Sequence, residues 1–327
     1  MNPDIGRTLK QEFGSRLEAD VSLSKYTTFK IGGNAQYFLQ ATSRAELTFY
    51  LKRLYEMGIP VFILGGGSNI LISDKGISGV VIKNNTRNIQ IKGMKGRRRG
   101  ARNLSDVYLD ADSGVIMNQL VRFTIEQGLA GLHMHLGLPG TVGGALYMNS
   151  KWTRPEAYVG DILYQAEIIG SDGRVRIEPR SYFKLAYDYS IMHDTHDIVL
   201  GATFRLTSAN TQDLWRQAEE SMAIRKSTQP QGLHSAGCIF KNISHAQALS
   251  FSTPNHSTSA GFLIDHAGCI GLKSGNAEVS AVHANFIVNR SQATASDIRK
   301  LIVKIKDKVK AQFGIELEEE IRFIGDF

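Results

Sequence analysis

Apolar residues recur at helical spacing in four stretches of this chain, alternate with polar residues in several others, and are punctuated by glycine clusters. Leu47, Leu51, Leu54 and Met57 follow Ser43-Arg44-Ala45-Glu46, which reads as a capping box, and Gly58 stops that helix. Ile116, Leu120 and Phe123 share one face of a second helix ending at Gly128. Leu214, Ala218 and Met222 mark a third, which ends in Arg225-Lys226. Thr294-Ala295-Ser296-Asp297 opens the fourth, with Ile298, Leu301, Ile302, Ile305 and Val309 inward and Gly314 as its close. Residues 1–20 read as a short helix or arm, and Gly261 to Ala267 as helical.

The strand signals fall between these. Tyr37-Phe38-Leu39 and the continuous apolar Val61-Phe62-Ile63-Leu64 frame the first helix as a small β-α-β unit, with Val61 to Leu64 read as a buried strand and Val80-Val81-Ile82 as strand-like after it. Ile89 and Ile91 alternate with polar residues and pair with Val107 to Ala111. Between them Lys92 to Arg102 reads as a loop at a hairpin tip, loaded with positive charge. Ile162 to Ile169, a turn at Asp172-Gly173, Val175 to Ile177 and Ile198 to Leu206 form an antiparallel set. Asn276 to Ser280, Ala284 to Val288 and Glu320 to Ile324 complete the strands, with no internal repeat and no low-complexity segment.

Composition narrows the class. The 327 residues are 42% hydrophobic and 21% charged, a soluble globular balance with room for two or three domains. The net charge of +7 suits anionic ligands without choosing among nucleotide, nucleic acid and anionic membrane. Cys238 and Cys269 are too few for a disulfide framework. The start has no apolar leader and no run is long enough to span a bilayer, so the expectation is a cytoplasmic protein.

The candidate chemistry sits in the glycine clusters. Gly65-Gly66-Gly67-Ser68-Asn69 follows a strand, and successive bare N–H groups in such a turn make a concave nest for phosphate. No helix begins at these glycines and no Lys-Ser or Lys-Thr follows, which excludes a dinucleotide-binding turn of the usual βαβ kind and a P-loop. A plain tight turn between strands is the alternative. Tyr26 to Ala35 is a second glycine-bearing loop, and Gly131 to Ala145 a third. His133 and His135 alternate in the third, but no Cys, Asp or Glu clusters with them, so they read as satisfied loop histidines and no metal is expected. The basic segment Arg97 to Arg102 lacks interleaved aromatics, which argues for a solvated loop over a nucleic-acid contact.

Taken in order, these loops resemble one family over about Tyr26 to Gly325: the FAD-dependent UDP-N-acetylenolpyruvoylglucosamine reductases (MurB), in their shorter type II subgroup. The matching stretches are Thr27 to Gly33, Gly65 to Leu71, Pro139 to Ala145, Ser235 to Asn242, Ala260 to Ile264, His283 to Asn289 and Phe313 to Arg322. The resemblance implies an α+β protein with the FAD-binding fold of the vanillyl-alcohol-oxidase (PCMH) type in two subdomains, at residues 1–88 and 89–210. It implies a smaller α+β substrate domain at 211–312 and a C-terminal strand, 313–327, returning to the active site. Thr28, Gly32, Gly33, Gly65, Gly66, Gly67, Ser68, Asn69, Leu71, Pro139, Gly140, Thr141, Gly143, Gly144, Ala145 and Arg322 would then lie along FAD. Arg225, Lys241, Asn242 and Asn285 would meet the substrate, UDP-N-acetylglucosamine enolpyruvate.

The implied reaction has two halves. NADPH reduces FAD, and hydride then passes to the enol carbon C3 of the substrate while an acid protonates C2. This needs electrostatic support where charge develops, and a proton donor. The family's donor is commonly serine; here Cys238 holds that position. A thiol, with a reference pKa of about 8.5, can do the work. Glu320 matches the family's acid. The family's Tyr-Arg-x-Ser is here Tyr187-Asp188-Tyr189-Ser190, so Asp188 stands where an arginine is expected. A carboxylate facing an enolate opposes the reaction, so either the substrate is held differently, with Lys184, Arg225 or Lys241 bringing the charge, or Asp188 turns to a main-chain N–H. Ser150 to Tyr158 is longer and bulkier than the family pattern and is expected to reshape the mouth of the site. The implied protein is a monomeric enzyme of peptidoglycan precursor synthesis, with no nucleic-acid partner. The alternative is a catalytically impaired homologue that binds FAD or a UDP-sugar without turnover.

Overall fold

The computed structural model describes residues 3–99 and 102–327, and mixes helices with strands throughout. The chain forms two compact units, one of residues 1–18, 37–66 and 79–225 and one of residues 19–36, 67–78 and 226–327.

The first unit holds two cores. In one, helix Arg44–Glu56 buries Leu47, Tyr50, Leu51 and Leu54 against Leu39, Ala41, Val80 and Ile82. Its N-cap, Ser43, accepts the Glu46 N–H at 3.2 Å. The expected reciprocal bond goes one residue further out, since the Glu46 carboxylate accepts the Thr42 N–H and hydroxyl at 2.8 and 2.9 Å. Strand Val61–Leu64 lies parallel to Ile77–Asn84, with Leu64 opposite Lys83. It is the end strand of its sheet, so only Leu64 is buried and the other three are half-buried, not the fully buried strand expected.

The second core backs a six-stranded antiparallel sheet. Its order is Val175–Pro179, Leu163–Ile169, Ile198–Ser208, Arg102–Asp112 and Ile89–Arg99, with Leu129–Ala130 also paired to Ile198–Ser208. The antiparallel set expected from the sequence is present. The basic segment is not the loop expected. Pairing continues from Ile89↔Ala111 to Arg99↔Arg102, with one irregularity between Ile91 and Gly93. Main-chain pairing carries this hairpin where side-chain alternation gives no signal. Gly100 and Ala101, at the expected tip, lie outside the described residues. Helix Met117–Glu126 buries Met117, Leu120, Val121, Thr124 and Ile125. Ile116 is the extended N-cap and 36% exposed, so the inward face is turned away from the one expected.

An ion-pair cluster lies in this unit. Arg44 reaches Asp110 and Asp112 at 2.8 Å and Glu167 at 3.0 Å. A Cβ at Gly201 would come 2.2 Å from the Arg44 guanidinium, so glycine there makes room for it. The cluster borders an open cleft of about 610 Å³ lined also by Ser43, Arg87 and Lys92.

The second unit packs around helix Ala295–Phe313. Thr294 and Asp297 cap it reciprocally, and the Asp74 carboxylate accepts the Ala295 and Ser296 N–H groups at 2.8 and 3.0 Å. Gly314, at φ 72°, ends it. All five expected inward residues are buried, against Ile239, Phe240, Leu263, Ile264, Leu317 and Ile321 among others. Strands Lys273–Ser274, Ala277–Val279 and Ile287–Asn289 form a small antiparallel sheet. Ala284 to Phe286 therefore precede the strand they were expected to begin. Arg322–Ile324 pairs in parallel with Ile70–Ile72, which leaves Glu320 just ahead of that strand.

Candidate active site

Within the first unit two glycine-rich segments abut. A Cβ on Gly65 would lie 2.6 Å from Thr141 Oγ1, and one on Gly66 2.5 Å from the Gly140 Cα. Only bare glycine permits that approach. The partner segment is fixed by its main chain: Gly140 accepts the Met117 N–H at 3.1 Å, Val142 donates to Val115 at 2.9 Å and Gly143 donates to Ser113 at 2.8 Å. Pro139 leads into Gly140, whose φ of 101° demands glycine. Ala145 is buried and donates to the Thr141 carbonyl at 2.8 Å. Gly144 differs from the rest. It is exposed in helix Val142–Tyr147, and a Cβ there would meet nothing nearer than Thr141 Oγ1 at 3.8 Å. Protein packing does not require this glycine; a ligand lying against the helix would.

The chain passes from the first unit into the second after Gly66. Among the described residues, the N–H groups of Gly66, Gly67, Ser68 and Asn69 donate to no protein acceptor. The three consecutive unspent donors of the second unit, Gly67 to Asn69, fit a phosphate group and need one, or water.

In the second unit the carbonyl of Gly67 accepts the Thr28 N–H at 3.0 Å and its hydroxyl at 3.3 Å. Gly32 and Gly33 have a packing reason: Cβ atoms there would meet Ile72 Cβ at 3.0 Å and the Asp74 carbonyl at 2.3 Å. Leu71 is buried in the core.

The segments that carry Cys238 and Glu320 are joined by main-chain bonds at Ile239. Ile239 donates to the Asn285 carbonyl at 2.8 Å and accepts the Glu320 N–H at 2.7 Å. Cys238 bridges Phe286, and Phe240 bridges Glu319. The Asn285 side chain accepts the Phe240 N–H at 2.9 Å and donates to the Phe240 carbonyl at 2.8 Å. Asn285 is buried and spends its amide on this short segment. Gly237, at φ 81°, turns the chain into Cys238, whose thiol is half-buried. The Asn69 amide donates to the Glu320 carbonyl at 3.2 Å, and Arg322 donates from its N–H to the Asn69 carbonyl at 3.0 Å. The glycine turn is thus tied at its far end to the candidate acid. Lys241 Nζ lies 3.6 Å from Glu318, and Asn242 Oδ1 accepts the first N–H of helix Ala260–His266 at 3.1 Å. Arg322 is exposed.

Asp188, Arg225 and Lys184 belong to the first unit. Asp188 is buried with φ 49°, in the tight turn where Ala186 bridges Tyr189. Lys151 Nζ stands 4.1 Å over the Tyr187 ring. Arg225 stacks 4.6 Å over Trp152, the bulky residue of the unusual Ser150–Tyr158 segment, which is buried. His133 accepts the Gly131 N–H at 3.4 Å. His135 corrects the expectation of satisfied histidines: it is fully buried and neither ring nitrogen has a hydrogen-bond partner among the described residues. Burial, reinforced by the positive charges of Arg225 and His133, pushes it down to about 4. No group of three metal-ligating side chains occurs among the described residues.

Lys83 stands in no motif of the sequence, and Asn289 and Trp152 stand there only inside longer stretches. Asn289 is buried and ties Phe29 to Ala293 through both ends of its amide, at 2.9 and 3.0 Å. Lys83 donates its ammonium to the Gly65 carbonyl. Its signal was a lone lysine closing the apolar run Val80-Val81-Ile82.

The chain is similar to known proteins along nearly its whole length. Residues 35–177 match a family model described as an FAD binding domain, and residues 229–324 one described as the UDP-N-acetylenolpyruvoylglucosamine reductase C-terminal domain. A UDP-N-acetylenolpyruvoylglucosamine reductase of Heliobacterium modesticaldum is 36% identical over 97% of this chain and 94% of its own length. That of Caldicellulosiruptor saccharolyticus is 37% identical over 94% and 92%. The crystal structure of the MurB reductase from Thermus caldophilus superposes with a TM-score of 0.75 at 31% identity, covering 95% of this chain and 99% of that one. A vanillyl-alcohol-oxidase-type flavoprotein of Myceliophthora thermophila, 10% identical with a TM-score of 0.56, shares the fold alone. The chain belongs to the UDP-N-acetylenolpyruvoylglucosamine reductase family, with the FAD-binding fold that the resemblance implied.

Proposed function

We propose that the protein is an FAD-dependent reductase that converts UDP-N-acetylglucosamine enolpyruvate to UDP-N-acetylmuramate. The observation that supports this is the junction at Ile239, whose main chain bonds to Glu320 and so joins the Cys238 and Glu320 segments within one small unit. Resemblance to reductases along nearly the whole chain supports it.

The unspent N–H groups of Gly66, Gly67, Ser68 and Asn69, and the uncovered Gly144, would hold FAD by its diphosphate. FAD, when bound, supplies hydride that it has taken from NADPH. Cys238 would hold a proton on Sγ and release it to C2 of the substrate. Glu320, fixed by Ile239 and Asn69, would stabilise the enol or relay the proton. Asn285 would act by holding the Cys238–Phe240 segment in place, since both ends of its amide are committed there. Lys241, Asn242 and Arg225 remain the candidates for the UDP-sugar and its carboxylate. Arg225 is the preferred cation where Asp188 replaces the family's arginine, because stacking on Trp152 holds its guanidinium in one place.

The division at residues 88, 210 and 312 goes with this reading, as do a monomer, a cytoplasmic location and a role in supplying cell-wall precursors for shape and division. The test is product formation. NADPH consumption should require the enolpyruvyl substrate and yield UDP-N-acetylmuramate one for one, identified by mass. NADPH oxidation indifferent to that substrate would refute it.

A further inference from the structure

Lys83 stands on the strand that runs parallel to Val61–Leu64, opposite Leu64, one residue before the glycine turn begins. It is half-buried, and its ammonium donates to the Gly65 carbonyl. The next N–H along the chain, that of Gly66 in the same unit, has no protein acceptor among the described residues. No carboxylate pairs with Lys83 among the described residues. Leu64 faces it across the register, the turn offers only the carbonyl, and the charged group acting on it is Arg87, which is exposed and repels it. A lysine left without a counter-charge beside a turn of bare donors is unusual, because desolvating an ammonium without a partner costs stability.

We propose that Lys83 is a positioning residue for FAD, holding the glycine turn at the Gly65 carbonyl and supplying the positive charge that the cofactor's diphosphate completes. The inference rests on the FAD reading of the turn and adds to it a charge that the glycine motif does not contain. Burial, with Arg87 adding to it, already brings this ammonium down to about 8. A dianion arriving beside it favours the charged form and raises that value. Binding then takes up a proton in the window above 8. Affinity is flat below about pH 8 and falls as the pH rises through it, by up to about tenfold per unit.

The test measures the FAD dissociation constant by flavin fluorescence on diluting the holoenzyme, from pH 6.5 to 9.5, for wild type, Lys83→Met and Lys83→Arg. Wild type should weaken above about pH 8. Lys83→Met should bind about tenfold or more weakly at pH 7 with no such pH dependence, and Lys83→Arg should bind well and stay flat. A Lys83→Met protein with wild-type affinity and pH profile would overturn the inference while leaving the FAD reading intact. So would a flat wild-type profile, which needs no variant to fold. A wild type that holds no FAD overturns both.

Discussion

The N–H of Glu320 donates to the carbonyl of Ile239 at 2.7 Å, so the candidate acid is set by the residue next to the candidate proton donor, Cys238. The same Ile239 donates to Asn285, whose side chain closes both polar groups of Phe240.

Asn285→Ala should therefore damage the site without touching Cys238 or Glu320. It leaves a buried N–H and a buried carbonyl of Phe240 without partners, at a cost of roughly 2–4 kcal/mol. Urea unfolding should show this loss. In protein kept folded, the substrate-dependent step should slow while reduction by NADPH does not. An equal loss of both steps would contradict a role in holding the Cys238 segment.

Gly144→Ala separates ligand from fold. A Cβ there meets only Thr141 Oγ1 at 3.8 Å, so the cofactor-free protein should be unchanged or more stable by about 0.5–1 kcal/mol, as glycine-to-alanine changes in helices are. FAD affinity should fall by about tenfold or more, because the methyl enters the space reserved for it. Thermal unfolding without FAD and fluorescence titration with it measure the two effects. A stable variant with normal affinity would show that nothing lies against Gly144.

His135 predicts an acid sensitivity. Its folded value is depressed to about 4 by burial, below the ordinary 6.5 of the unfolded chain. The unfolded chain therefore binds the proton first as pH falls. The stability His135 confers is fully present above about pH 6.5 and is lost toward pH 4, by on the order of 3 kcal/mol. His135→Leu should flatten that part of the curve. Urea midpoints at pH 5 and 7.5 would test it; an unchanged difference between the two would remove His135 as the cause.

Arg44 joins Asp110, Asp112 and Glu167 at 2.8 to 3.0 Å. Arg44→Met leaves two buried carboxylates facing one another and should cost about 2–4 kcal/mol by denaturant unfolding. A loss under about 0.5 kcal/mol would mean that solvent screens the cluster fully.

The legible parts of the chain are those whose signal is local. Helix Ala295–Phe313 shows its capping box, its inward residues and its closing glycine in the sequence itself. The Ile89–Arg99 hairpin does not, because glycines and basic residues carry no alternation and main-chain pairing alone extends it. Ile116 falls out of phase with the helix because its backbone is extended, bridging Thr141, which no periodicity reveals. At the site, the motifs named the segments but not how each residue is used. Gly33 is a glycine for the Asp74 carbonyl, and Gly144 for no protein atom at all. The partners of Asn285 and Lys83 are 45 and 18 residues away, beyond any local pattern.

The central claim is that Cys238 passes the proton while reduced flavin passes the hydride, and single-turnover reoxidation tests it most directly. The protein is reduced with NADPH without oxygen, mixed with UDP-N-acetylglucosamine enolpyruvate, and followed by flavin absorbance for wild type, Cys238→Ser and Cys238→Ala. Wild type and Cys238→Ser should regain the oxidised spectrum with UDP-N-acetylmuramate formed. Cys238→Ala should be slower by about 100-fold or more, the usual size of a lost general acid. Reoxidation of Cys238→Ala at the wild-type rate would contradict the role of Cys238, and a wild-type flavin that stays reduced would contradict the reductase itself.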